Sequence, residues 1–189
     1  MNPTYIEEQR DLAAVFRGAA MFGGQAGVCR HFSLRVGDDP LLFLLNPWGM
    51  YLSEARASEL MLVDENGVDQ RGGRDGGFAA FNIHSQIHAI HPDTRCVLNT
   101  HMSYATAMLD NGRLESASQE ALRFYDDVTY DDSYNGLAHD PREGERIARK
   151  MDDKHVLFLA HHGVIVVGPS VAQAFDHLYY QERAAADSG

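Results

Sequence analysis

The chain has 189 residues, 44% of them apolar and 23% charged, and a formal net charge of −11. That length supports one domain with a sizeable core, and the composition is that of a folded chain, which excludes global disorder. An acidic surface repels a phosphate backbone, so a general nucleic-acid binder is excluded as well.

Thr4 and Glu7 have the spacing of a capping box. Leu12, Val15, Phe16 and Ala19 then recur at helical spacing until Gly23-Gly24, which predicts an opening amphipathic helix. Phe32 to Val36 reads as a strand, Asp38-Asp39-Pro40 as a turn, and Leu41 to Leu45 as a second apolar run, together a hairpin. Asn46-Pro47-Trp48-Gly49 breaks it. Met61-Leu62-Val63 is a short strand closed by the turn Asp64-Glu65-Asn66-Gly67. Residues 71–77 are glycine-rich and read as a mobile loop. Phe81, His84, Ile87, His88 and His91 form a helical stripe over about Phe78 to Ile90, which Pro92 ends. Arg95 to Asn99 is a buried strand and Tyr104 to Leu109 a helix. Val156 to Leu159 and Val164 to Val167 are strands separated by Ala160-His161-His162-Gly163, and the last helix runs from about Ser170 to Ala186. There is no internal repeat and no domain boundary. Irregular alternation with hairpins predicts one α/β domain over residues 1–189, a mixed sheet covered by helices.

Cys29 and Cys96 do not make a disulfide framework, and they read as free thiols in a reducing compartment. Cys96, inside an apolar run, reads as a small buried hydrophobe. No apolar run approaches the roughly 20 residues that span a bilayer. The N-terminus lacks an apolar signal core. A cytoplasmic protein without a membrane partner is expected.

Ten histidines are present. His84, His88 and His91 lie at i, i+4 and i+7, one helix face. His101 follows an apolar strand, and His161 and His162 sit between two. Strand ends and tight turns are where ligands and catalytic groups usually sit. His31, His139, His155 and His177 read more simply as packed or surface residues.

The stretch from His84 to Leu109 contains His91-Pro92-Asp93, an apolar strand and Asn99-Thr100-His101. It resembles the class II aldolase/adducin segment of helix, Arg-Pro-Asp, strand and His-x-His pair. Phe158-Leu-Ala-His-His-Gly163, followed by Ala174-Phe175, is similar to that family's His-His-Gly motif and closing helix. Gly27 to Arg35, Leu44-Leu-Asn-Pro-Trp-Gly49 and Leu62-Val-Asp-Glu-Asn-Gly67 follow its N-terminal order. The resemblance covers about Leu12 to Glu182. It implies a three-layer αβα fold with a mixed, mostly antiparallel sheet, and a divalent metal, commonly zinc, bound by three histidines. It further implies a catalytic glutamate, a small-molecule substrate, and a homotetramer with sites between subunits. Such a metal polarises a carbonyl and stabilises an enediolate. Relatives continue beyond Gly189, so the closing helix is expected to be cut short.

Several positions depart from that pattern. The ligand positions fall on Asn99, His101 and His162. An amide is a poor substitute for imidazole toward zinc, so binding is expected to be weak or absent, with manganese or iron as alternatives. The glutamate position falls on Ala80, which moves no proton. His84, one turn later, is the candidate acid/base and Tyr104 a nearby donor. The phosphate-binding positions fall on Arg30-His31 and Trp48-Gly49. Arg30 can pair with a carboxylate and Trp48 can stack on a flat ring, so a carboxylated or aromatic substrate is expected over a sugar phosphate. The resemblance thus leaves two main readings. One is a metal-dependent lyase for aldol cleavage or decarboxylation, with an oxygenase as its variant. The other is a non-catalytic, adducin-like assembly or binding module.

Overall fold

The computed structural model describes residues 3–24, 27–73 and 75–188. Its elements, in chain order, are α1 (Ile6–Met21), β1 (His31–Asp38), β2 (Leu41–Leu45), β3 (Met61–Asp64), α2 (Phe78–Ile90), β4 (Cys96–Thr100), α3 (Ser103–Asn111), α4 (Gln119–Leu122), β5 (Val128–Asp131), α5 (Pro141–Met151), β6 (Val156–Leu159), β7 (Gly163–Gly168) and α6 (Val171–Asp187). The strands form one sheet in the order β3-β2-β1-β4-β7-β6-β5. Every neighbouring pair is antiparallel except β5 and β6.

Strand alternation divides the core between the two faces of this sheet. Phe32, Leu34, Leu98, Phe158, Val164 and Val166 pack beneath α1, α3 and α6. Phe16 of α1 stacks on Phe32 at 4.6 Å between ring centres. On the other face, Val97, Leu157, Ile165 and Val167 meet Ile83 and Ile87 of α2 and Ile147 and Met151 of α5. Each fully buried side chain of this size contributes about 1.5–3 kcal/mol. The three-layer αβα arrangement expected from the sequence is therefore present, with a mixed and mostly antiparallel sheet. No helix is long and apolar enough to cross a membrane among the described residues.

α2 and α5 pack closely because Gly144 of α5 has no side chain; a Cβ there would run into the Asn82 carbonyl. Asn82 also donates to the Ala138 carbonyl at 2.9 Å, which ties the segment before α5 to α2. Sequence reasoning assigned neither α4, β5 nor α5. α5 nevertheless carries ordinary start signals: Asp140 caps the Arg142 N–H and Pro141 opens the helix.

The capping box at Thr4 is a correction. Thr4 lies in a single 3-10 turn (Pro3–Tyr5), so the helix starts later and Tyr5 becomes its N-cap without a side-chain bond. Glu7 pairs with Arg10 at 2.8 Å instead. Residues 71–73 and 75–77 contain no strand or helix, and residue 74 of the same glycine-rich segment lies outside the described residues.

Candidate functional site

β1, β4 and the β6–β7 turn lie side by side, and their ends bring distant residues to one mouth. His31 pairs across the sheet with Asn99, and Asn99 with Ile165. His101 follows β4 directly. His162 lies in the turn before β7, where His161 adopts a left-handed backbone (φ 56°). Gly163 must be glycine: its φ is 151°, and a Cβ would strike the Thr100 carbonyl. That close approach sets His162 against His101, with ring centres 4.8 Å apart and nearly perpendicular.

A cavity of about 360 Å³ opens at this mouth. His31, His101, His162, Trp48 and Ala80 line it, so four of the residues singled out in the sequence converge with the alanine at the glutamate position. Arg30 is buried and reaches His101, with Nη1 to Nδ1 at 2.6 Å; a longer bond runs to the Cys29 carbonyl at 3.4 Å. Its Nε has no partner among the described residues.

The electrostatics follow from burial. Burial pushes His31 down to about 3, helped by His162, His101 and Arg30. It also lowers His101 to about 3, with the charges of Arg30 and His162 adding to the effect. His162 is lowered by burial and then by Arg30. All three rings are therefore neutral at neutral pH, and Arg30, itself lowered by burial, is the cation of the site.

A guanidinium has no acceptor, so the Arg30–His101 bond requires a lone pair on Nδ1 of His101. The neutral ring then carries its proton on Nε2. Among the described residues that Nε2 is buried and without a partner, as are both amide atoms of Asn99. An N–H does not ligate a metal, and ligating imidazoles must present a lone pair. Of the three implied ligands this leaves one imidazole and one amide beside a buried cation, too few donors for a divalent ion in a site of this family type. Among the described residues no group of three His, Cys, Asp or Glu side chains is placed to hold a metal. The donor set of Asn99, His101 and His162 does not fit the implied metal.

Two other expectations change. His84 is fully buried, both its ring nitrogens face His31 (2.7 Å) and Ser33 (2.5 Å), and it is not part of the cavity lining. Tyr104 lies in the exposed first turn of α3, outside the cavity lining, and its backbone N–H is held by Glu182 at 3.0 Å. Helical periodicity placed His84 on the right face without showing that β1 covers it. Likewise the stripe splits at its end, because His91 turns to the Ala148 carbonyl of α5 at 2.7 Å. Trp48 and Gly49 also border an open groove with Arg17 and Arg56. Sequence reasoning missed Tyr134, Leu137 and Ala138, which close the cavity from the segment after β5. His139, which the sequence presents as a packed or surface residue, lines the cavity too.

A mixed sheet between helix layers, with histidines gathered at the strand ends beside a glycine-tightened turn, is the arrangement of a class II aldolase-type domain. The sequence profile described as Class II Aldolase and Adducin N-terminal domain matches residues 10–187, and the chain belongs to that family. An aldolase II superfamily protein from Pseudomonas syringae superposes with a TM-score of 0.89 at 34% identity, covering 99% of this chain and 76% of that one. Alpha-adducin of Mus musculus is 35% identical over 174 residues, 89% of this chain but 23% of that protein. A Streptomyces roseochromogenus protein named 4-hydroxy-3-prenylphenylpyruvate oxygenase/4-hydroxy-3-prenylbenzoate synthase is 32% identical over 178 residues, 90% of this chain and 64% of that protein. The chain thus spans less than two thirds of either of these two relatives.

Proposed function

We propose that this chain takes a small carboxylated molecule into the His31–His101–His162 cavity and acts on it as a carbon–carbon lyase, by aldol cleavage or decarboxylation. Arg30 and the Nε2–H of His101 stand where a metal would be expected to act. In a substrate with a carbonyl β to the breaking bond, both reactions move that bond's electron pair onto the carbonyl oxygen, and the hydroxyl proton released in aldol cleavage goes to His31, the neutral imidazole on the cavity lining. Two buried donors beside the cavity stabilise that carbonyl oxygen as it becomes an enolate, and removing one such donor typically costs about 10²–10³ in rate. The observation that carries the reading is the Arg30–His101 bond at 2.6 Å with the opposite ring nitrogen unpartnered. The exposed face of Trp48 and the aromatic acids in the Streptomyces relative's name favour a flat, carboxylated substrate.

The test has two parts. Bound metal per chain is measured by elemental analysis, and carboxylated aldols and aromatic acids are then screened for binding and turnover with and without a chelator. Binding and product formation that ignore the chelator support the proposal. Near-stoichiometric metal whose removal abolishes both would refute it.

One observation favours a second reading, a non-catalytic binding module like the adducin branch. Ala80 faces the cavity where the family pattern has its glutamate, and His84 is sealed behind His31. Saturable binding of acids with no product from any of them would move the assignment there. In either reading a homotetramer with sites at subunit borders is expected, and light scattering measures it.

A further inference from the structure

Behind the cavity a line of buried groups joins β1 to α2. His31 Nδ1 meets His84 Nε2 at 2.7 Å, and His84 Nδ1 meets Ser33 Oγ at 2.5 Å. Ser33 Oγ meets His88 Nε2 at 2.7 Å, and His88 Nδ1 ends the line on the Thr94 carbonyl at 3.3 Å. His31 and Ser33 lie on one face of β1 because strand residues alternate, and His84 and His88 on one face of α2 because they are four apart.

The last group sets the direction of the side-chain bonds along this line. A carbonyl only accepts, so Nδ1 of His88 carries the proton. Burial keeps this ring neutral, so its Nε2 is a lone pair and the Ser33 hydroxyl must donate to it. The hydroxyl has one hydrogen. Its oxygen therefore accepts from Nδ1–H of His84, whose Nε2 then accepts from Nδ1–H of His31. What remains on His31 is Nε2 as a bare lone pair. His31 lines the cavity, and this nitrogen has no partner among the described residues.

We propose that His31 is a specificity-determining residue, held by Thr94, His88, Ser33 and His84 as a pure acceptor, and that the cavity therefore selects hydroxy acids. This rests on the reading of the cavity as a carboxylate site. The lining offers unlike partners: His101, whose Nδ1 is held by Arg30 behind the wall and whose Nε2 carries the proton, and His31 as an acceptor. A hydroxy acid meets both, its carboxylate or carbonyl oxygen taking the His101 N–H and its hydroxyl proton going to His31. A deoxy acid leaves the His31 lone pair without a donor. A phosphate dianion sets a further lone pair against it. Sites built to pair a ligand hydroxyl reject analogues that lack it, because the buried partner goes unpaired. His31 is the residue that meets ligand, while Ser33, His84 and His88 are positioning residues.

Two measurements on the whole chain test this. Long-range nitrogen–proton correlation spectra of the histidine-labelled protein at pH 7 report each ring's tautomer, with His31 assigned through His31→Gln. His31, His84 and His88 should each show the Nδ1–H form, and His101 the Nε2–H form. Calorimetric titration then compares hydroxylated and deoxy partners: 4-hydroxybenzoate with benzoate, 3-hydroxybutyrate with butyrate, lactate with propionate. At least one hydroxylated partner should bind about 10- to 100-fold tighter than its deoxy form. Phenyl phosphate, which has no carbon-bound hydroxyl to donate, should bind more weakly than that partner. Ser33→Ala should mix the His31 tautomers and erase the hydroxyl preference while deoxy binding persists, a change that a purely structural serine would not produce. An Nε2–H form on His31, or equal affinities within every pair, overturns the inference and leaves the carboxylate reading standing. Failure of every acid to bind overturns both.

Discussion

Replacing Arg30 by methionine separates what the guanidinium does for the ligand from what it does for the fold. The side chain is 5% exposed and, among the described residues, bonds one neutral ring and one carbonyl and leaves its Nε unpaired. A buried cation with so little compensation is a net cost to folding, and its pKa lies below the ordinary arginine value because burial disfavours the charged form. Exchanging buried charge for an apolar side chain of similar volume is often neutral or stabilising. Arg30→Met should therefore hold or raise the melting temperature, by about 2–4 °C if about 1 kcal/mol is recovered in a chain of this size. The ligand side has the opposite sign. Loss of one charge-assisted hydrogen bond to a carboxylate costs about 1.5–3 kcal/mol, which is roughly 10- to 150-fold in affinity. Calorimetric titration with 4-hydroxybenzoate and thermal unfolding read the two effects on one preparation. Affinity within twofold of the parent would refute the carboxylate role. A melting temperature lower by more than about 5 °C would show that Arg30 is a structural prop, and the argument about its uncompensated charge would fail.

Other consequences are open to direct measurement. Burial pushes His31, His88 and His101 down to about 3, so these rings stay neutral in the fold while the unfolded chain protonates them below its ordinary value near 6.5. The unfolded state then binds more protons between about pH 6.5 and 3, so stability falls as pH drops through that window, by up to about 1.4 kcal/mol per unit for each ring. Urea midpoints at pH 7.5, 6 and 5 should decline accordingly, and a flat profile would contradict the burial of these histidines. Asn99→His adds the missing imidazole, yet Arg30 still fixes the proton on His101 Nε2. Zinc retention by elemental analysis should rise far more in the double variant Arg30→Met/Asn99→His than in either single one, and full retention by Asn99→His alone would show that Arg30 does not block the site. Gly144→Ala should destabilise the chain by about 1–3 kcal/mol in urea, because a Cβ there meets the Asn82 backbone and forces α2 from α5. An unchanged midpoint would mean that the two helices have room to spare.

What the sequence made legible was whatever lay within one element's own period. The apolar runs marked β6 and α2 at their observed bounds, Val156–Leu159 and Phe78–Ile90. The motif resemblance added their order and the three-layer fold. β5 escaped because Val128 to Tyr130 are only partly buried at the sheet edge and its one buried residue is Asp131, and α5 because few apolar positions face α2 along a largely charged helix. The site divides in the same way. That His31 and Ser33 share a strand face follows from a period of two, and that His84 and His88 share a helix face follows from their spacing. No spacing says that the first face lies under the second. That fact depends on β1 pairing with β4 in one register, His31 opposite Asn99, and on α2 crossing above it. A one-residue slip would have turned His31 and Ser33 to the other face of the sheet. The same register brings Arg30, one residue before β1, to His101, one residue after β4. Motif order alone names His101 as a ligand position, while the register shows that the Arg30 guanidinium lies against its Nδ1. The chemistry of the cavity thus rests on how two strands meet, which neither strand's sequence carries alone.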